Sequence, residues 1–235
     1  MMAMVYDWTG FYVGGNVGAI GSTGNSVHQC VNPAGVTNGA LCDVIRDTSL
    51  NGTGFIGGAQ AGYNWQMTGL LFGLEGDIQG TTLKSSTTIT GAFPLTAPPA
   101  GLADPARTTF TNSERLNWLA TVRGRIGYTA GDALFYATGG VQTATNLIGL
   151  VNSYPSTTNS TRAGWTAGGG VEWGFAPQWS TKFEGLYYDL GTVTSLGTSV
   201  SAIVAFREGS RISINGWTAR AGVNYRFGSP GLAKY

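Results

Sequence analysis

Trp217-Thr218-Ala219-Arg220-Ala221-Gly222-Val223-Asn224-Tyr225-Arg226-Phe227 changes character at every step. One face carries Trp217, Ala219, Ala221, Val223, Tyr225 and Phe227; the other carries Thr218, Arg220, Gly222, Asn224 and Arg226. A period of two with one apolar and one polar side is the signature of a β-strand. The same frame, aromatic at both ends with small or aliphatic residues at alternate positions between, recurs over Phe55 to Trp65, Trp118 to Tyr128 and Trp165 to Phe175. Ten steps of about 3.3 Å, tilted by roughly 40°, rise on the order of 25 Å, the height of the apolar band on an outer-membrane barrel. Each repeat therefore reads as one membrane crossing by a strand. No stretch approaches the roughly 20 apolar residues of a transmembrane helix.

Composition agrees. Of 235 residues only 11% are charged, against 11% aromatic and 38 glycines. A soluble surface carries about a quarter charged residues and a disordered chain lacks aromatics, so the balance suits one large β domain with lipid outside. A net charge of +1 gives no reason to expect nucleic acid.

Working outward, the further strands are Gly10 to Ile20, about Leu70 to Gly80, about Leu134 to Ala144 and Trp179 to about Asp189. Connections alternate. Tight turns lie at Gln66 to Gly69, Thr129 to Asp132 and Ala176 to Gln178; long polar segments run at about 21–54, 81–115, 145–162 and 190–215. The expectation is an all-β, eight-stranded antiparallel up-and-down transmembrane β-barrel with four long external loops and three short periplasmic turns. Its parts are an N-terminal periplasmic segment over 1–10, the barrel over 11–227 and a C-terminal periplasmic extension over 228–235.

That assignment sorts the aromatics into two membrane girdles. Phe11, Trp65, Phe72, Tyr128, Phe135, Phe175, Trp179 and Phe227 fall at the short-turn end; Phe55, Trp118, Trp165, Tyr187 and Trp217 fall at the long-loop end. The alternative, a soluble lipocalin-like barrel, would turn its apolar face inward. An eight-stranded interior is just wide enough to be filled by side chains. The polar face supplies Glu75, Asp77, Glu172 and Glu184 against Arg123, Arg125, Lys182 and Arg220. Charges shut away from lipid need partners, so these eight are expected to form a mutually satisfied network inside the barrel. Inward glycines such as Gly14, Gly62 and Gly170 leave room for the long side chains, and no wide pore is expected.

Cys30 and Cys42 lie close together in the first polar segment. The first reading in an exported protein is a disulfide closing a short loop; two separate thiols remain the alternative, and a metal site would find only His28 and Asp43 nearby. The opening Met1-Met2-Ala3-Met4 lacks the basic segment and apolar run of an export leader, so the expectation is that the leader has been removed. His28 is the only histidine, which leaves a serine–histidine hydrolase poorly supplied; no catalytic role, metal or cofactor is expected. Small outward residues (Gly15, Gly57, Ala59, Ala61, Gly139, Ala167, Gly169) allow barrel-to-barrel or other envelope-protein contacts, with outer-membrane lipids and lipopolysaccharide as surroundings.

The runs Tyr6-Asp7-Trp8-Thr9-Gly10-Phe11-Tyr12-Val13-Gly14-Gly15-Asn16, Phe72-Gly73-Leu74-Glu75-Gly76-Asp77, Asn117-Trp118-Leu119-Ala120-Thr121-Val122-Arg123-Gly124-Arg125-Ile126-Gly127-Tyr128 and Tyr225-Arg226-Phe227 resemble the alphaproteobacterial porin-like outer-membrane surface-antigen family. The resemblance spans nearly all of residues 6 to 227. It implies an abundant, immunogenic outer-membrane barrel that contributes to envelope integrity. Some relatives bind haemin through external loops; His28 would then be the candidate ligand here, with Tyr154 and Tyr6 as alternatives, and a narrow channel is the other function the family name suggests. Family members end at the closing aromatic, whereas this chain continues from Gly228 to Tyr235.

Overall fold

A computed structural model describes residues 6–31, 47–90, 109–151, 156–196 and 207–227. Nine strands follow in order: β1 (Gly10–Val31), β2 (Asp47–Met67), β3 (Leu70–Thr81), β4 (Lys84–Thr90), β5 (Thr109–Ala130), β6 (Ala133–Val151), β7 (Ser156–Ala176), β8 (Trp179–Leu196) and β9 (Arg207–Arg226). All pairings are antiparallel; besides sequence neighbours, β2 pairs with β4 and β3 with β5, and β1 closes on β9 from Tyr12 opposite Arg226 to Val31 opposite Arg207. Both β3 and β4 lie between β2 and β5, on either side of a break at Thr82 and Leu83, so they fill one place in a ring of eight.

Three two-residue turns join the strands at one end: Thr68–Gly69, Gly131–Asp132 and Pro177–Gln178. Thr68 (φ 46°) and Gly69 (φ 87°) both take positive φ, the backbone whose twist matches that of a tight hairpin.

The strands are much longer than the alternation suggested, and this corrects the four polar segments. Ser22 to Val31 and Asp47 to Gly54, assigned to the first loop, are strand; so are Lys84 to Thr90, Thr109 to Arg115, Thr145 to Val151, Ser156 to Arg162, Leu190 to Leu196 and Arg207 to Asn215. Strands of about 20 residues at a tilt of roughly 40° reach on the order of 50 Å, about twice the apolar band. The barrel wall thus continues well beyond the outer aromatic row. Outside that row its exterior carries Thr23, Asn25, Ser49, Asn51, Ser86 and Thr88 rather than apolar residues.

The interior follows the same change of solvent. Where lipid lies outside, most of the inward side chains are polar; where water lies outside, large apolar side chains dominate the interior. Ile20, Leu50, Leu83, Leu116, Leu190, Ile212 and Ile214 are buried in one cluster inside the external half, and of these Leu50, Leu83, Leu190, Ile212 and Ile214 come from segments expected to be loop. At full burial each such side chain contributes about 1.5–3 kcal/mol. This cluster supplies the core of the projecting wall.

Candidate functional site

The charged residues of the polar face converge in mid-barrel. β3 brings Glu75 and Asp77 inward, β5 brings Arg123 and Arg125, β7 Glu172, β8 Lys182 and Glu184, and β9 Arg220; all eight are at most 7% exposed. Arg123 is the hub, donating to Glu75 (2.5 Å), Asp77 (2.8 Å) and Glu184 (3.0 Å). The Lys182 ammonium donates to both oxygens of Glu75 at 2.9 Å. Arg220 joins Glu184 (2.8 Å from Nε) to Asp77 (3.1 Å), and Arg125 reaches Glu172 at 2.8 Å. Four acids balance four bases. A buried ion without a partner is costly, and breaking one such pair by removing a partner costs about 3–5 kcal/mol.

Neutral groups fill the remaining hydrogen-bonding positions. Ser180 and Asn224 donate to Glu172 at 2.6 and 2.7 Å, Thr121 to Asp77 at 2.7 Å, Tyr12 to Glu75 at 2.7 Å and Tyr136 to Glu184 at 3.0 Å. The Arg125 guanidinium stands 4.0 Å from the Tyr136 ring centroid. Space for these side chains comes from glycine on the facing strands. A Cβ on Gly62 would lie 2.5 Å from the Tyr12 hydroxyl, and one on Gly170 would lie 2.7 Å from that of Tyr136.

Below the network, the N-terminal segment turns into the periplasmic mouth. Trp8 is 1% exposed and clusters with Tyr6, Leu71, Leu134 and Tyr136. The Trp8 amide donates to Gln66 (2.9 Å) beside the first turn, and the Tyr6 amide to Asp132 (3.2 Å) in the second. Arg226 lies 4.9 Å from the Tyr6 ring centroid and donates to the carbonyls of Thr9 (3.1 Å) and Pro177 (3.0 Å). Sequence reasoning had no signal for this cork, because a lone Asp-Trp before the first strand fits a free segment equally well.

Above the network, inside the external half, sits one acid that the sequence reading did not single out. Glu114 of β5 is 2% exposed, and among the described residues neither of its carboxyl oxygens has a hydrogen-bond partner. Ser85, opposite it in register, also has an unpartnered hydroxyl; Ser22 donates instead to the Leu50 carbonyl at 3.2 Å. Burial pushes the Glu114 carboxyl up to about 7, with the nearby Ser22 hydroxyl offsetting a little of the rise.

Every residue assigned to a girdle faces outward: Phe11, Phe55, Trp65, Phe72, Trp118, Tyr128, Phe135, Trp165, Phe175, Trp179, Tyr187, Trp217 and Phe227 are all exposed. Trp173, Phe183 and Tyr63 join them on the exterior. Small residues Gly15, Ala59 and Ala61 floor a shallow outer groove of about 800 Å³ walled by Trp179, Tyr225 and Ile78.

His28 and Cys30 belong to β1 by backbone, opposite Ser210 and Glu208, not to a loop. Their side chains, and Cys42, Asp43, Tyr154 and the 228–235 extension, lie outside the described residues. Tyr6 is at the periplasmic mouth, the opposite end from the external segments, which removes it as an alternative surface ligand. Among the described residues no group of three or more His, Cys, Asp or Glu side chains is placed to hold a metal ion.

Residues 1–227 match the family described as outer membrane protein beta-barrel domain. The chain is 34% identical over 229 residues to the 31 kDa outer-membrane immunogenic proteins of Brucella melitensis and Brucella suis, covering 94% of this chain and 85% of each relative. Its fold is similar to that of the outer membrane protein OprG from Pseudomonas aeruginosa, with a TM-score of 0.53 at 11% identity, covering 95% of this chain and 99% of that one.

Proposed function

Because the chain belongs to the outer membrane protein beta-barrel domain family and resides in the bacterial outer membrane, we propose that it serves there as a closed structural barrel. In this reading it reinforces the envelope, has no catalytic role and displays its projecting wall and outer segments as an antigenic surface; its Brucella relatives are named immunogenic.

The observation that carries the reading is the filled interior. Three plugs of different chemistry succeed one another along the axis: the Trp8 cork, the ion-pair network around Arg123, and the apolar cluster around Leu116 and Ile212. An ion moving through would meet an aromatic seal, a set of already neutralised charges and a cluster of packed aliphatic side chains in turn. That argues against the narrow-channel alternative. A haemin-type receptor would rest on His28, whose side chain lies outside the described residues.

Proteoliposome swelling in arabinose tests the proposal. Purified barrel is expected to swell liposomes no faster than empty controls, while deletion of its gene raises the sensitivity of cells to detergent. Swelling comparable to that given by a diffusion porin would overturn the closed-barrel reading.

A further inference from the structure

Lys84 and Arg115 are direct register partners on β4 and β5, and both are exposed on the outer face of the wall. Like charges placed opposite one another on antiparallel strands repel. Neither side chain has an ion pair or hydrogen bond among the described residues. The acid next in the chain, Glu114, points into the barrel and is buried. Beyond the outer aromatic row the one outward acid among residues with described side chains is half-buried Asp189 on β8, three strands around the ring, where it accepts the Gly191 amide. Among the described residues, two cations are therefore held side by side with no anion to relieve them.

Their height on the wall is informative. Trp118 lies three residues toward the membrane from Arg115, and Phe55 two residues from Thr53, the register partner of Lys84 on β2. One step outward, Ser86 and Ser113 are paired in register. Below Trp118, the exterior becomes Val122 and Ile126, both more than half exposed. From outside inward the face presents hydroxyls, two cations, an aromatic row and then aliphatic side chains. A phosphorylated glycolipid has the same order: sugar hydroxyls, phosphate, ring edge and acyl chains.

We infer that the outward face of β4 and β5, with Lys84 and Arg115 as its anion-holding pair, is a binding site for the phosphorylated headgroup of an outer-leaflet glycolipid. The phosphate sits between the two cations and removes their mutual repulsion, while the acyl chains lie against the apolar wall. Cross-strand neighbours with Cβ atoms about 5 Å apart let both side chains converge on one phosphate. Basic residues at a membrane surface gain from each anionic headgroup they meet.

Native mass spectrometry of the full chain in detergent, titrated with diphosphoryl lipid A and with its dephosphorylated form, tests the site. The wild-type chain is expected to bind the diphosphoryl form at least tenfold more tightly. Lys84→Gln or Arg115→Gln weakens that binding by about fivefold, and the double variant loses the preference altogether. Arg211→Gln, which removes an equal charge from an exposed position on β9, keeps it. Lys84→Glu gives Arg115 a cross-strand partner, so it folds at least as well as the wild type and still loses binding. Preference retained in the double variant, or lost equally in Arg211→Gln, overturns the proposal. Displacement of the lipid by inorganic pyrophosphate at equal concentration also overturns it, because the site would then hold a bare anion. Heat-modifiable migration of each variant and its failure to swell liposomes are read separately, so loss of lipid selectivity leaves the closed-barrel reading standing.

Discussion

Replacing Glu114 with glutamine should stabilise the barrel, and only at the higher pH. The carboxyl is 2% exposed inside the external half, and burial raises it from 4.5 to about 7. Between those values the folded barrel keeps a proton that the unfolded chain has lost. Stability contributed by the neutral acid is therefore complete below about pH 4.5 and declines as pH rises toward 7. At about 1.4 kcal/mol per pKa unit, the barrel at pH 8 carries a penalty on the order of 3 kcal/mol from this one side chain. A glutamine amide has nearly the same shape as the carboxyl and no charge to bury. The measurement is the temperature at which half of the compact form is lost on an unboiled gel, taken for both proteins at pH 4 and pH 8. Comparison with the wild type at each pH removes the contribution of every other titrating group. The variant is expected to match the wild type at pH 4 and to exceed it by several degrees at pH 8. An equal gain at both values, or none at pH 8, would refute the argument.

Two further substitutions probe the interior. Arg123→Met leaves Glu75, Asp77 and Glu184 short of their shared cation and should destabilise the barrel by about 3–5 kcal/mol, read as a lower midpoint in urea-dependent refolding into vesicles. Gly62→Ala sets a methyl 2.5 Å from the Tyr12 hydroxyl and 2.6 Å from the Leu74 carbonyl. A cost of about 1–3 kcal/mol is expected in the same assay, and Tyr12→Phe in the same chain should recover part of it.

How much of this was legible depends on which solvent a stretch of wall meets. Within the membrane the alternation is unambiguous, because lipid demands apolar residues at every outward position and the barrel interior tolerates charge. That contrast exposed the strands, the two aromatic rows and all members of the Arg123 network. Beyond the outer row the contrast inverts. In Arg211-Ile212-Ser213-Ile214-Asn215 the outward residues are polar and the inward isoleucines are buried, so a strand there has the opposite phase to the one below it. Averaged over both halves the pattern cancels, and Ser, Thr and Asn at outward positions look like loop. A search for apolar alternation that changes face at an aromatic row would have found Ile212 and Ile214, whereas the bulge between Asp189 and Thr192 shifts Val193 out of phase. Glu114 had no such signal: an acid between Ser113 and Arg115 looks solvated until the ring closes around it.

The Trp8 cork bears on the order in which the molecule is built. Its contacts come from Gln66 beside the β2–β3 turn, Asp132 in the β5–β6 turn, and Arg226 at the end of β9, which also reaches the β7–β8 turn through Pro177. No single hairpin supplies that set. This segment precedes in the chain every strand and turn it touches, yet it docks only against a ring whose turns are already formed. The segment acts as a latch whose closure reports that assembly is complete.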